Sequence, residues 1–235
     1  MTSILDKTRK IGDLCDFSSG NGFKAAEWST KGIPIIRIQN LNGSTDFNYY
    51  AATPDRRWIV EPGELLFAWA GVKGVSFGPT LWNGETGLLN QHIYRVRPKE
   101  GVDKRWLFAA LKLVTSKIEQ NAHGFKTSLV HVRKADIENA KVLFSPLEEQ
   151  RKIAEILGAC DEAIDLQKRL IEAKKKRKKA LMKELLTGER RFPEFRNEWR
   201  HGRLGDFFEE RNETNHGTLP LLSVTNIVTF SSCLR

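Results

Sequence analysis

Apolar and polar positions change period several times along the chain, and each change marks an element. Ile33-Pro34-Ile35-Ile36-Arg37-Ile38 is a β-branched run closed by the turn-rich Asn40-Leu41-Asn42-Gly43, which predicts a strand and its stop. Gly63-Glu64-Leu65-Leu66-Phe67-Ala68-Trp69, bounded by Pro62 and Gly71, predicts another. His92-Ile93-Tyr94-Arg95-Val96-Arg97 alternates apolar and basic residues, the period of a strand with one solvated face. The period then lengthens. Trp106, Leu107, Ala110, Leu111, Val114 and Ile118 recur at three and four residues, and Asp103 stands where it can cap a helix burying that face. Short strands are expected near Leu129–Val132 and Lys141–Phe144. The fold class is therefore α+β, with a mixed domain over residues 1–144.

A much longer helical pattern follows. Ser145-Pro146-Leu147-Glu148 offers an N-cap serine, proline at the first helical position and glutamate at the third, which is a capping box. Thr187-Gly188 is a natural stop. Forty-two residues from Ser145 to Leu186 would span roughly 63 Å at ~1.5 Å per residue. The apolar seam is Ile153, Leu157, Cys160, Ile164, Ile171, Leu181 and Leu185, interrupted at Gln167, Lys174 and Lys178. Steps of four and three describe a coiled-coil seam with a polar middle, so these seven positions are the expected helix-pairing residues.

Beyond the helix the opening of the chain returns. Ile11-Gly12-Asp13-Leu14 is echoed by Leu204-Gly205-Asp206-Phe207, and Pro34 to Leu41 by Pro220 to Ile227. The offsets are 193 and 186, so the second copy's intervening loop is seven residues shorter. This order gives three parts: a domain at 1–144, a spacer helix at 145–190, and the start of a second domain at 191–235. The chain ends about thirty residues after the repeated opening at Leu204, too few to close a core, so poor packing is expected there.

Charge narrows the choice of partner. The net charge is +9 and the pI about 9.5, which favours polyanions with nucleic acid first. Residues 1–144 carry 20 Lys/Arg against 14 Asp/Glu, residues 145–191 carry 13 against 9, and residues 192–235 carry 5 against 6. Six consecutive cations, Lys174 to Lys179, lie inside the helix; spread over nearly two turns they cannot all face one way, so plain solvation accounts for several. Cys15, Cys160 and Cys233 have no metal-ligand spacing, and Cys160 falls on the apolar seam as a small core hydrophobe. The N-terminus lacks a signal-peptide core and no stretch is apolar enough to span a bilayer, so a cytoplasmic protein without membrane contact is expected.

The motifs resemble the specificity subunit of type I restriction–modification systems. Ser145-Pro146-Leu147-Glu148-Glu149-Gln150-Arg151-Lys152-Ile153-Ala154-Glu155-Ile156-Leu157 and Leu185-Leu186-Thr187-Gly188 look like its spacer helix. Ile11-Gly12-Asp13, Pro34 to Asn40 and Gly63 to Phe67 look like landmarks of its target-recognition domain. The resemblance implies a DNA sequence-specificity subunit that reads half of a bipartite target and scaffolds other subunits. Those subunits are methyltransferases using S-adenosylmethionine and nuclease/translocases using ATP and Mg, with no catalytic residue, cofactor or metal on this chain itself. Because the second domain is cut short, a half-subunit self-associating through its helix is one expectation. A truncated interaction protein or decoy that binds methyltransferase without competent DNA recognition is the alternative.

The residues agree with a non-catalytic role. There is no Gly-Lys-Ser/Thr phosphate loop, and the five histidines form no ligand pair. Duplex DNA contacts divide into phosphate anchors and base readers. Arg37, Gln39 and Asn40 stand at or just past a strand end, and Asn90-Gln91-His92 enters another, with side chains that can bridge guanine or adenine edges. Lys24, Lys73 and Lys126 lie in glycine-flanked segments suited to phosphates, and Thr127 and Ser128 extend the last loop. An ordinary solvated surface accounts for each equally well alone. Trp69 is expected to pack rather than to wedge between bases.

Overall fold

A computed structural model describes residues 8–121, 129–200, 202–210, 221–224 and 230–233. In chain order the elements are β1 (Thr8–Lys10), α1 (Ile11–Leu14), β2 (Cys15–Ser19), β3 (Ile33–Ile36), α2 (Ile38–Leu41), β4 (Asn48–Tyr50), β5 (Ile59–Val60), β6 (Leu65–Ala68), β7 (Ala70–Val72), β8 (Gly78–Leu81), β9 (Gly87–Leu89) and β10 (Ile93–Pro98). They continue with α3 (Lys104–Asn121), β11 (Leu129–His131), α4 (Lys134–Glu138), β12 (Lys141–Leu143), α5 (Leu147–Thr187), β13 (Leu221–Val224) and β14 (Phe230–Cys233). The chain divides into two compact units, residues 1–170 and 171–235.

Two four-stranded sheets build the first unit, in the orders β2-β10-β6-β8 and β4-β3-β9-β5. Strand β6 explains how they stack. Its Leu65 and Phe67 join a core with Phe17, Trp106, Leu107, Leu111 and Ile137, under α3, α1 and α4. Leu66, pointing the opposite way, joins Ile36, Val60, Trp82, Leu89 and Ile93 between the sheets. A strand buried on both faces has no polar alternation, which is why Leu65-Leu66-Phe67-Ala68 is an unbroken apolar run. The second sheet's outer face is closed by Phe23, Ile35 and Leu88.

Strand β10 departs from the expected pattern. Arg97 is solvated, but Arg95 is buried, with Nε 3.0 Å from Glu64 Oε2 and Nη1 donating to the Arg57 carbonyl at 3.3 Å. The ion pair is close but poorly directed, since neither Arg95 Nε nor Glu64 Oε2 makes a well-aligned hydrogen bond among the described residues. Arg95 shares its face of β10 with Ile93, which lies in the cluster between the two sheets, so that face is covered at Arg95 and opens only at Arg97.

Helix α3 buries the stripe read from its period, with Trp106, Leu107, Ala110, Leu111 and Val114 inside and Ile118 at the edge. Asp103 caps it, its Oδ1 accepting the Arg105 and Trp106 amides at 2.9 Å. Helix α5 begins differently from expectation. Its first residue is Leu147 and Gln150 N donates to the Pro146 carbonyl at 3.0 Å, while the Ser145 hydroxyl is buried with no partner among the described residues. The serine therefore does not cap; instead the Gln150 side chain folds back and donates to the Ser145 carbonyl at 2.7 Å. Gly188 takes φ +78°, a left-handed conformation that favours glycine, and ends the helix.

Along α5, Gln150 and Ala154 are buried, and Ile153 is half-buried against the α3 core. Leu157, Ile164 and Ile171 are about half exposed, Cys160 is exposed, and Leu181 and Leu185 are half-buried. Cys160 is thus not a core residue within this chain, because the helix has left the first unit's core after Ala154. In the second unit, Arg203 N donates to Asp206 Oδ2 at 2.8 Å around the turn Leu204–Asp206. In the first unit Lys10 N donates to Asp13 Oδ2 at 3.3 Å around Ile11–Leu14, so the echoed tetrapeptides share this hydrogen bond, although the first is a turn of α-helix and the second of 3-10 helix. Ile11 and Leu14 are buried, whereas Leu204 and Phe207 are exposed. Strand β13 pairs antiparallel with β14.

Candidate nucleic-acid interface

Strands β3 and β9 run parallel, with Ile35 opposite Leu88 and Ile36 opposite Leu89. Their carboxyl ends therefore lie together, and the chain leaves them as Arg37 on one side and Asn90-Gln91-His92 on the other. Asn90 N closes the pair by donating to the Ile36 carbonyl at 3.1 Å. A third segment joins them: Asn21 bridges Asn90 in parallel, its amide donating to the Leu89 carbonyl at 2.8 Å. The approach is tight, because a β-carbon at Gly20 would run into the carbonyl oxygens of Leu89 and Asn90. Asn21 was not among the expected contacts; the signal was its place between Gly20 and Gly22.

Several expected readers are held rather than loose. The Arg37 guanidinium donates to Asn48 Oδ1 at 2.8 Å and lies 5.2 Å from the centre of the Trp28 ring. Two contacts fix its plane, the arrangement a bidentate donor needs. Gln39 is exposed on the turn after it. Asn40 is a correction. It is buried, its Oδ1 accepts the Arg37 amide at 2.9 Å, and its Nδ2 donates to the Ser44 and Asp46 carbonyls at 3.0 and 2.9 Å. With its amide spent on the loop, Asn40 shapes the surface and has no edge left for a base.

Next to these ends stands an aromatic group. The Trp69 indole donates to the Gln91 carbonyl at 3.1 Å and meets the His92 ring edge-on at 5.3 Å. Tyr94 stacks on it at 6.1 Å and His131 meets it at 5.9 Å. Contacts on several sides make Trp69 a packing residue that positions Gln91 and His92, in line with the expectation. Gln91 Oε1 is buried with no partner among the described residues. A buried acceptor without a partner is costly, so this side chain has a reason to move when a donor arrives.

The two described lysines differ. Lys24 is exposed beside the 3-10 turn Ala25–Glu27, behind the buried anchor Phe23. Lys73 is held, its ammonium donating to the Glu119 carbonyl at 2.9 Å in the last turn of α3. The helix C-terminus is the electronegative end, so it competes with a phosphate for that cation. Lys126, Thr127 and Ser128 lie outside the described residues. Arg37 and Asn90-Gln91-His92 thus follow the adjacent carboxyl ends of β3 and β9, with Asn21 beside Asn90 and Gln39 on the turn after Arg37.

Among the described residues no group of three or more His, Cys, Asp or Glu is placed to hold a metal, and no helix is long and apolar enough to cross a membrane. The shifted titrations belong to structure. Burial pushes the Cys15 thiol up to about 12, and hydrogen bonds from the neighbouring guanidinium lower the carboxyls of Asp55 and Asp136.

A mixed α/β module that hands its chain to one long helix is an architecture with solved counterparts. One is a chain from a type I R-M system, solved for its complex assembly and conformational transition; it matches with TM-score 0.55 and 21% identity over 74% of this chain and 43% of that one. The HsdS subunit from Thermoanaerobacter tengcongensis matches with TM-score 0.52 and 20% identity, over 69% of this chain and 39% of that one. At such identities the likeness concerns the fold alone. Sequence carries the rest: the model of the type I restriction modification DNA specificity domain matches residues 6–175, and the chain belongs to that family. It is 29% identical over 178 residues to the type I restriction enzyme EcoBI specificity subunit of Escherichia coli, covering 73% of this chain and 36% of the relative. It is 35% identical over 155 residues to the MjaVIII specificity subunit of Methanocaldococcus jannaschii, covering 66% and 35%. The chain thus spans about a third of the length of these relatives.

Proposed function

We propose that residues 8–143 read one half of a bipartite duplex DNA target, and that α5 sets the distance to the other half. The chain itself carries no catalytic group in this reading. Methyltransferase subunits with S-adenosylmethionine, and nuclease/translocase subunits with ATP and Mg, would assemble on it. The observation that carries the reading is the convergence of Arg37, Gln39, Asn90, Gln91 and Asn21 at the ends of two parallel strands, on a member of a DNA specificity family. Arginine and amide side chains are the groups that read guanine and adenine edges in the major groove.

The helix supports pairing with a like helix. Residues 147–166 carry six acidic and two basic side chains; residues 167–187 carry nine basic and two acidic. Opposite ends of opposite sign attract when two such helices lie antiparallel and repel when parallel. Leu157, Ile164 and Ile171 supply the apolar stripe that such a contact covers. Two identical copies would form a twofold pair and read an inverted repeat with a gap.

Selection from a randomised duplex library with the full chain tests this. The reading expects one short sequence enriched, twice and inverted at a constant gap. Recovery of library without any enriched sequence, by folded protein, overturns it.

A further inference from the structure

Gln150 is wholly buried, although it is polar and lies on the largely exposed helix α5. Every polar atom of its amide group is used. Oε1 accepts the Asp103 backbone N–H at 2.9 Å, and Nε2 donates to the Gly101 carbonyl at 3.2 Å and the Ser145 carbonyl at 2.7 Å. Asp103 is the cap of α3, and Ser145 lies two residues before α5. One side chain therefore ties together the starts of both helices. The turn that presents Gly101 needs glycine, with φ +75°.

The other contacts between α5 and the module are of a different kind. Ala154 and Ile153 pack in the cluster that contains Trp106 and Phe144, whose rings meet at 5.9 Å. Lys112 pairs with Asp161 at 3.3 Å, with both side chains at least half exposed. Apolar contact is non-directional, and an exposed ion pair yields readily to water. Hydrogen bonds prefer a narrow range of angles. Of these contacts, only the Gln150 amide resists a swing of the helix about Ala154.

We propose that Gln150 is a positioning residue that fixes the direction of the spacer helix against the recognition module, and through it the gap length the protein accepts. This rests on the gap-setting reading above. The lever is long: a 41-residue helix at ~1.5 Å per residue reaches about 62 Å, and a 10° swing moves its far end by roughly 11 Å. That is about three base-pair steps of ~3.4 Å. No base or phosphate needs to touch Gln150 for it to determine specificity.

The test uses the full chain with Gln150→Leu, and Gln150→Asn as a milder variant that keeps an amide but is one methylene too short. Spin labels at Lys31→Cys and Gln167→Cys, with Cys160→Ser and Cys233→Ser, in chain diluted with excess unlabelled parent so that only distances within one copy are read, report the distance distribution across the joint without DNA. Duplex selection reports half-site sequence and gap separately. The expected result is a single narrow distance in the parent, broadened at least twofold in a folded variant, with the same half-sites now accepted over two or more additional gap lengths. A distribution as narrow as the parent's in both variants overturns the joint, and a broadened distribution with the gap unchanged overturns its role in specificity. If the parent selects no sequence, the DNA-reading proposal falls and the gap role with it, while the distance measurement still decides whether Gln150 stiffens the joint.

Discussion

The carboxamide oxygen of Gln150 accepts the backbone N–H of Asp103 at 2.9 Å, so the residue that caps α3 is itself held from the first turns of α5. Gln150→Leu keeps the volume and strands the Asp103 amide and the Gly101 and Ser145 carbonyls. Water can reach some of these groups once the joint loosens, so the expected cost is about 2–4 kcal/mol rather than the full sum for three buried groups. Chemical denaturation of parent and variant gives this difference directly.

Asn40 and Gln39 are neighbours with opposite roles. Asn40→Ala removes three hydrogen bonds from a buried loop staple and is expected to destabilise the chain by about 1–3 kcal/mol. Gln39→Ala, on an exposed position, is expected to leave stability within about 0.5 kcal/mol. Its effect belongs in DNA affinity for the selected half-site, lowered roughly tenfold. Melting curves and binding isotherms on both variants separate the two roles.

Gly20→Ala places a methyl against the Leu89 and Asn90 carbonyls. Backbone cannot yield as a flexible side chain can, so the Gly20–Asn21 segment must shift away from Asn90. DNA binding by this variant is expected to weaken at least tenfold while self-association through α5 is unchanged. Equal loss of both would mean that the substitution unfolds the unit rather than reshaping its edge.

Thiol chemistry distinguishes the two cysteines of the first unit. Cys15 is buried and its thiol is pushed up to about 12 by desolvation, then by Asp16, so it stays protonated at pH 8. Cys160 is exposed on α5. The thiolate is the reacting form, so in chain diluted until it dissociates a maleimide is expected to label Cys160 within minutes and Cys15 only after unfolding. Peptide mapping of the labelled chain identifies each site.

The parts of this fold that could be read in advance are those set by local period. The three-and-four spacing of Trp106 to Ile118 is the buried face of α3, and Leu65 to Ala68 is a strand. What was not legible depends on distant neighbours. Arg95 alternates like a solvated residue, yet it shares a face with Ile93 in the cluster between the two sheets and is buried there. Asn40 has the chemistry of a base reader but is consumed by its own loop, and Lys73 by the end of α3. Ser145 stands where a cap belongs, but its hydroxyl is buried without a partner among the described residues, and Gln150 folds back to bind the Ser145 carbonyl. Residue type marks which groups can bind DNA; tertiary contacts decide which remain free to do so.

Antiparallel pairing of α5 makes a prediction of sign. Ile171→Glu puts a charge into the exposed stripe and is expected to weaken self-association at least tenfold. Raising salt screens the attraction between acidic and basic halves, so the dimer should also loosen with ionic strength. Sedimentation equilibrium at two salt concentrations measures both effects.

The most direct measurement maps adenine methylation in a methylation-free host that expresses the chain with a type I methyltransferase subunit that assembles with it. The comparison is with a variant lacking the seven residues Lys168–Lys174, one heptad of α5. The account expects a gapped, inverted motif for the parent, and the same half-sites at a different gap for the variant. An unchanged gap, or half-sites that change with helix length, would contradict it.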